Sequence, residues 1–366
     1  MKIKHNYLSE QFKERDNIFK LINKTISFND FTLGKHVENF EKTFCKYQKS
    51  KYSIGVGSGT DAIFLSLKAL GIQEGDEVLT PVFSFYATAG AIATTGAKPV
   101  FVDINEDLNI DVNKIEKKIN RKTKAIVPVH WSGRICDMDK ILKISKKHNL
   151  FVVEDACHAI IAQDKKKRFA GNYGITGCFS MHPLKNLNVW GDGGIITTNN
   201  KKIYEKLKLL RNHGLIDRNN CKIYGYNSRL DTIQAAVGLE MIKKINHITK
   251  RRIENAKYLN KNLSKIDQIK IIKENAKAKS VFHLFQFYCT KRDKLNNYLR
   301  KNKIDSKIHY PIPLHLHDAA KKLKYKPGDY PNAEKFSKNI ISLPVHEFVT
   351  KNDLDLMINK IRNFYN

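Results

Sequence analysis

Seven short apolar runs, separated by stretches with helical periodicity, leave few architectures open to this chain. The runs fall at 52–56, 77–81, 98–104, 124–130, 150–155, 176–181 and 194–198, with helical patterns near 60–70, 85–95, 112–120 and 138–148. Parallel strands need a long crossover between them, and alternating helices supply it, so such alternation calls for a mostly parallel sheet covered on both faces. The expected fold is therefore α/β, built on a mostly parallel seven-stranded sheet. Ligands of such sheets bind beyond the carboxyl ends of the strands.

Upstream, 8–26 and 36–48 carry helical spacing around an Asp30-Phe-Thr-Leu-Gly34 turn. From Asp231, a plausible N-cap, the pattern changes to one long helix through RRIENAKYLNKNL. After it come a strand at 281–288, a helix near 291–302, a strand at 304–309 and helices near 332–340 and 351–363. With 366 residues, two domains are expected: 1–245 as a large α/β domain with an N-terminal helical segment, and 246–366 as a smaller α+β domain.

The formal charge of +29 invites a nucleic-acid partner, but the lysines are spread along the chain on exposed helical faces. No basic tail, Cys/His finger spacing or aromatic-basic RNA motif accompanies them, so nucleic acid is not an expected partner. The same charge attracts a small anionic substrate. Six scattered cysteines without a C-x-x-C pair, and an N-terminus without an apolar leader, fit a reduced cytoplasmic protein. Val78–Ala97 is twenty residues long and uncharged, but Pro81, Gly90, Gly96 and four threonines make it a buried soluble segment rather than a membrane span.

Four segments carry chemistry, and each has a plainer reading. Gly55-Val-Gly-Ser-Gly-Thr-Asp61 follows a strand and opens a helix, so it is either a phosphate cradle or a turn capped by Thr60 or Asp61. An aromatic in Thr80-Pro-Val-Phe-Ser-Phe-Tyr-Ala-Thr88, best Phe85, stacks on a flat ring or simply packs in the core. Asp155, leaving a buried strand, either holds a pyridinium nitrogen protonated or caps a helix, and His158 bonds a phenolic oxygen or sits satisfied in the core. Lys185 lies five residues after Ser180, before the Gly191-Asp-Gly-Gly194 turn, where desolvation makes an amine a Schiff-base nucleophile. The succession of phosphate turn, aromatic, strand-end Asp and then Lys fits a pyridoxal phosphate site.

The segments VGSGTDA, DEVLTPVFSFYATAGAI, TGAKPVFVDI, VPVHWSG, VVEDACHA, FSMHPLKNL…GDGG, GYNSRLDTIQAA and HYPIPLH closely resemble the DegT/DnrJ/EryC1/StrS family of pyridoxal phosphate-dependent sugar aminotransferases. The resemblance implies the fold-type-I scaffold of pyridoxal phosphate transferases. It gives Lys185 the role of cofactor-bearing lysine and general acid/base, and Asp155 that of partner to the pyridine nitrogen. Phe85 matches the stacking residue, while Ser58, Gly59, Thr60, Asp61 and Ser180 match the phosphate site. Asn227 matches a residue that reaches the phosphate from a second subunit. Arg229 belongs to the same crossing segment, so a homodimer with shared sites is implied. His309 and Tyr310 match a region facing the substrate. Cys157 and His158 stand where many relatives have Ala-Gln.

The implied reaction moves an amino group from an amino acid, glutamate by analogy, to a nucleotide-linked keto-sugar. The K-N-L…G-D-G-G form leans toward C3 rather than C4. A branch with histidine at the lysine position performs dehydration, and the intact Lys185 argues against it. Three rival readings are a sugar dehydratase, a non-catalytic regulator and a basic nucleic-acid-binding protein. His315 and His317 lack further ligands at metal spacing, so no metal is expected.

Overall fold

The computed structural model describes residues 2–274 and 278–366. All seven apolar runs form strands of one sheet: β1 (Tyr52–Val56), β2 (Glu77–Pro81), β3 (Lys98–Val102), β4 (Thr123–Ile126), β5 (Phe151–Asp155), β6 (Thr176–Ser180) and β7 (Gly194–Thr198). Their spatial order is β1-β7-β6-β5-β4-β2-β3. Neighbours are parallel except where β7 pairs antiparallel with both β1 and β6, so β7 alone runs against the rest. The carboxyl ends of β1, β2, β4, β5 and β6 therefore open on the same edge.

The helices Gly59–Ala69, Tyr86–Thr94, Met138–Lys147 and Lys201–Leu210 follow their strands with apolar faces inward. Within Val78–Ala97, β2 and the helix Tyr86–Thr94 account for most of the uncharged stretch; Val78, Leu79, Val82, Phe83, Ala91, Ile92 and Ala97 are buried, whereas Phe85 and Tyr86 are exposed. Among the described residues, no helix is long and apolar enough to cross a membrane.

Several sequence expectations are corrected. The 112–120 segment makes two short 3-10 turns, Val112–Lys114 and Glu116–Lys118, instead of an α-helix. The 8–26 pattern breaks into Leu8–Gln11 and Asp16–Ser27. Asp231 precedes the long helix Thr232–Leu263, but its side chain makes no capping bond. The 304–309 run makes only single bridges, Ile304 to Ile3 and Lys307 to Ser342.

A second, antiparallel sheet has the order β10-β9-β8, where β8 is Ile269–Ile271, β9 Phe285–Cys289 and β10 Ile340–Leu343. The expected strand at 281–288 thus starts late. Phe282 has φ 45°, and Arg252 takes up the carbonyls of Phe282 and His283, which diverts 281–284 out of the ladder. Residue 245, the expected domain boundary, lies inside the helix Thr232–Leu263, which packs in the cores of both sheets.

The residues ahead of the first helix belong physically with the second sheet, whereas the helices Asp16–Ser27 and Lys35–Gln48 pack in the core of the large sheet. Ile3 is in that core and bridges Ile304. His5 Nδ1 bonds the Asp305 carbonyl, and Nε2 of His346 bonds the Lys4 carbonyl at 2.8 Å while its ring stacks on Tyr7. Burial keeps both imidazoles neutral, lowering each to about 4.

One buried carboxylate organises the middle of the large sheet. Glu154 accepts N–H bonds from Gly171, Tyr173 and Gly174 at 2.6–2.7 Å. It also accepts Nε2–H of His130 at 2.8 Å, whose Nδ1 is occupied by the Cys136 N–H. Removing it leaves four donors without an acceptor, two of them buried and two part-buried. Glu154→Ala should lose on the order of 3 kcal/mol or more in denaturant unfolding, and Glu154→Gln distinctly less.

A second outcome concerns pH. Unfolded histidines titrate near the ordinary value of about 6.5. As pH falls from there towards 4, the unfolded chain binds protons that folded His5 and His346 refuse. Stability present above that window should be lost across it. Denaturant midpoints measured between about pH 7 and pH 4 should fall steadily, with a shallower fall in His346→Gln.

Candidate active site

At the carboxyl edge of the large sheet lies a cavity of about 450 Å³. Its walls include Ser58, Gly59, Thr60, Phe85, Asp155, His158, Ser180, Lys185, His309 and Tyr310, so ten of the thirteen expected site residues meet in one space.

The phosphate-type turn is shaped by contact. Ser58 is the true N-cap of the helix Gly59–Ala69, its Oγ accepting the Asp61 N–H at 3.0 Å. A Cβ at Gly59 would stand 2.7 Å from Ser180 Cβ, and one at Gly194 would collide with the Ser58 carbonyl. Glycine is required at both positions, Gly194 because it meets the Ser58–Gly59 backbone directly and Gly59 because it is pressed against Ser180 and Cys157. The helix N-terminus and Ser180 therefore face the cavity together, a suitable arrangement for an anion.

Lys185 sits on a loop clamped at several points. Met181 N bonds Gly193 O, Val189 N bonds Met181 O, Lys185 N bonds His182 O, and Asn188 Nδ2 bonds Pro183 O at 2.6 Å. The side chain is half-buried and lines the cavity. Desolvation pushes its ammonium below the ordinary lysine value, opposed in part by nearby Cys157 and Asp155.

Asp155 ends β5 and points opposite to Glu154, as strand alternation requires. Its Oδ2 accepts from Thr88 Oγ1 at 2.8 Å and its Oδ1 from Cys157 N at 3.1 Å. Since Thr88 gives its hydrogen to Asp155, Ser84 donates to Thr88 at 2.8 Å, completing a hydroxyl relay. The carboxylate is thus fixed without a cationic partner among its described hydrogen bonds.

His158 is buried, and its Nδ1 has no partner among the described residues. Burial, together with Lys185 and His309, holds it neutral. Its ring packs beside Trp131 and, at 4.2 Å between centroids, His283. Phe85 is 40% exposed, over the cavity and outside the core, with Tyr310 at 5.8 Å. Burial lowers His309 to about 3 and raises the Tyr310 phenol.

These residues fit pyridoxal phosphate. The unpartnered His158 nitrogen, the glycine-pressed helix N-terminus, the exposed Phe85 ring, the anchored Asp155 and the depressed Lys185 amine match its polar groups in kind. Among the described residues no cluster of histidine, cysteine or carboxylate side chains could hold a metal ion.

Three expected residues lie elsewhere. Asp61 turns to Ser228, whose Oγ donates to it at 2.9 Å. Asn227 and Arg229 line a separate crevice of about 180 Å³ with Thr32 and Gly57, and Arg229 bonds Asn212 Oδ1. Sequence reasoning missed Ser84 and Thr88, although their i, i+4 hydroxyl spacing was visible in SFYAT. It also missed His5, Tyr7, Arg252 and His283, which reach the cavity from distant segments without a local motif.

Comparisons with known proteins show the family and the fold. The pleiotropic regulatory protein of Geobacillus stearothermophilus is 38% identical over 362 residues, spanning 98% of this chain and 97% of that one. The dTDP-3-amino-3,4,6-trideoxy-alpha-D-glucose transaminase of Streptomyces venezuelae is 33% identical over 344 residues, or 94% of this chain and 90% of its own. The crystal structure of DesV from S. venezuelae, in complex with a ketimine intermediate, matches with a TM-score of 0.95 at 33% identity, covering 98% of this chain and 97% of that one. The family described as DegT/DnrJ/EryC1/StrS aminotransferases matches residues 13–362, and this chain belongs to it.

Proposed function

We propose that this protein transfers an amino group from glutamate to the keto carbon of a nucleotide-linked deoxysugar, at C3, in two successive half-reactions. The observation that carries the reading is Lys185: a half-buried amine, depressed by desolvation, in the same cavity as Asp155 and the helix N-terminus. The S. venezuelae relative, named for a 3-amino sugar, supports the position on the ring.

Bound here, pyridoxal phosphate supplies an electron sink for the carbanion left when a Cα proton departs. Ser58, Gly59, Thr60 and Ser180 hold its phosphate through N–H and hydroxyl groups at the helix end. Asp155, kept in place by Thr88 and the Cys157 N–H, holds a proton on the ring nitrogen. His158, whose Nδ1 is unpartnered, would bond the phenolic oxygen, and Phe85 would lie against the ring. The Lys185 amine takes the Cα proton of glutamate and returns a proton to the sugar carbon in the second half-reaction. Asn227 and Arg229, outside this cavity, are read as reaching the site of a second copy, which makes the working unit a homodimer. Six free cysteines fit the cytoplasm.

A dehydratase on the same scaffold is the rival reading; sugar products analysed with and without glutamate separate the two. The purified protein should absorb visible light, and the band should fade when glutamate is added. Lys185→Ala should lose about 10²–10⁴-fold or more in turnover while keeping its fold by circular dichroism. A variant that transaminates at the natural rate would remove Lys185 from the mechanism.

A further inference from the structure

The cavity walls carry more imidazoles than this scheme uses. His158 serves the cofactor, and His309 lies in the segment already assigned to substrate. Of the remaining four, His346 gives its Nε2 to the Lys4 carbonyl and His182 is exposed, its Nδ1 accepting the Leu184 N–H; His5 and His283 have no role, although both rings line the cavity. One comes from the N-terminal segment and the other from the stretch diverted out of β9.

Hydrogen bonding fixes which nitrogen of each ring bears its hydrogen. Nδ1 of His5 bonds the main-chain carbonyl of Asp305, which can only accept, so Nδ1 carries the hydrogen. For His283, Asn186 donates its amide N–H to the Val281 carbonyl at 3.1 Å, which turns Oδ1 of Asn186 toward Nδ1 of His283 at 3.3 Å. That nitrogen must therefore donate. A neutral imidazole has one donor and one acceptor, so Nε2 of both rings remains a lone pair. Both rings stay neutral: burial lowers His5 to about 4, and burial with His158 and Lys185 holds His283 well below the ordinary value.

Two acceptors of fixed orientation suit a ligand that brings O–H donors. The sugar substrate carries hydroxyl groups. The amino acid and its 2-oxoacid carry carboxylates, which such lone pairs repel. We infer that His5 and His283 form a sugar-recognition pair, accepting hydrogen bonds from ring hydroxyls of the nucleotide-linked sugar; this rests on the aminotransferase reading above. Discrimination follows, because a site built to accept from a hydroxyl is left with an unpaired buried atom when the hydroxyl is missing.

The test uses the holoenzyme and follows each half-reaction separately by visible absorbance. The amino-acid side is run with glutamate. The sugar side is run in reverse with dTDP-, UDP- and GDP-linked 3-amino-3,6-dideoxyhexoses and their 4-deoxy counterparts. His5→Phe and His283→Phe should each shift the ratio of sugar to glutamate kcat/KM about tenfold against the sugar, the worth of one neutral hydrogen bond. His5→Gln and His283→Gln, with an amide oxygen near the Nε2 position, should recover part of that loss. The Phe variants should also discriminate less between hydroxylated and deoxy sugars. An unchanged ratio in both Phe variants overturns the pair, as does a natural protein that reacts with glutamate but with none of the sugars. A natural protein whose spectrum ignores glutamate overturns the aminotransferase reading instead, and the pair falls with it.

Discussion

The site depends on one backbone contact. Because β7 runs against the other strands between β1 and β6, the loops leaving β1 and β6 meet at its first residue. Gly194 packs on the Ser58 carbonyl, and Gly59 packs on Ser180 and Cys157. No side chain fits at either glycine. The helix end at Ser58–Gly59 and the lysine loop are thereby held at a fixed separation by covalent geometry and van der Waals exclusion. The Lys185 loop inherits its position from this contact and from the clamp of Met181, Gly193 and Val189.

The adjacent carboxylates Glu154 and Asp155 show how strand alternation separates structure from chemistry. Glu154 is saturated by four donors on one face and binds the sheet to the segment 171–174. Asp155, on the other face, takes only a hydroxyl and one N–H, which leaves it free to interact with a bound ring. The cavity is lined on that second face by Asp155, while Glu154 is not among its walls.

The strands of the large sheet were legible because buried parallel strands read as plain apolar runs, and all seven appear within a few residues of their expected limits. The second sheet was less so. The residues 269–271 and 340–343 are too short to show a period, and 281–284 is apolar but held off the ladder by Arg252. In the site, residues carried by local motifs (Ser58, Asp155, Lys185) were readable from sequence. Residues delivered by tertiary contact were not: nothing near His5 indicates that it will lie beside Asp305, three hundred positions away. The 112–120 segment misled because its apolar spacing suits a helix while its backbone is drawn into tight turns after Asp111.

The pairing of Ile3 with Ile304 has a consequence for synthesis. Residues 2–5 have their docking partners some three hundred positions later in the chain, at 303–305. At translation rates of about 5–20 residues per second, they wait on the order of tens of seconds before residues 303–305 emerge. During that interval the large sheet can already close, while the cavity lacks the wall formed by His5 and Tyr7. A nascent chain therefore lacks that wall until residues 303–305 are made. The late arrival of the C-terminal sheet sets the moment at which the cavity closes.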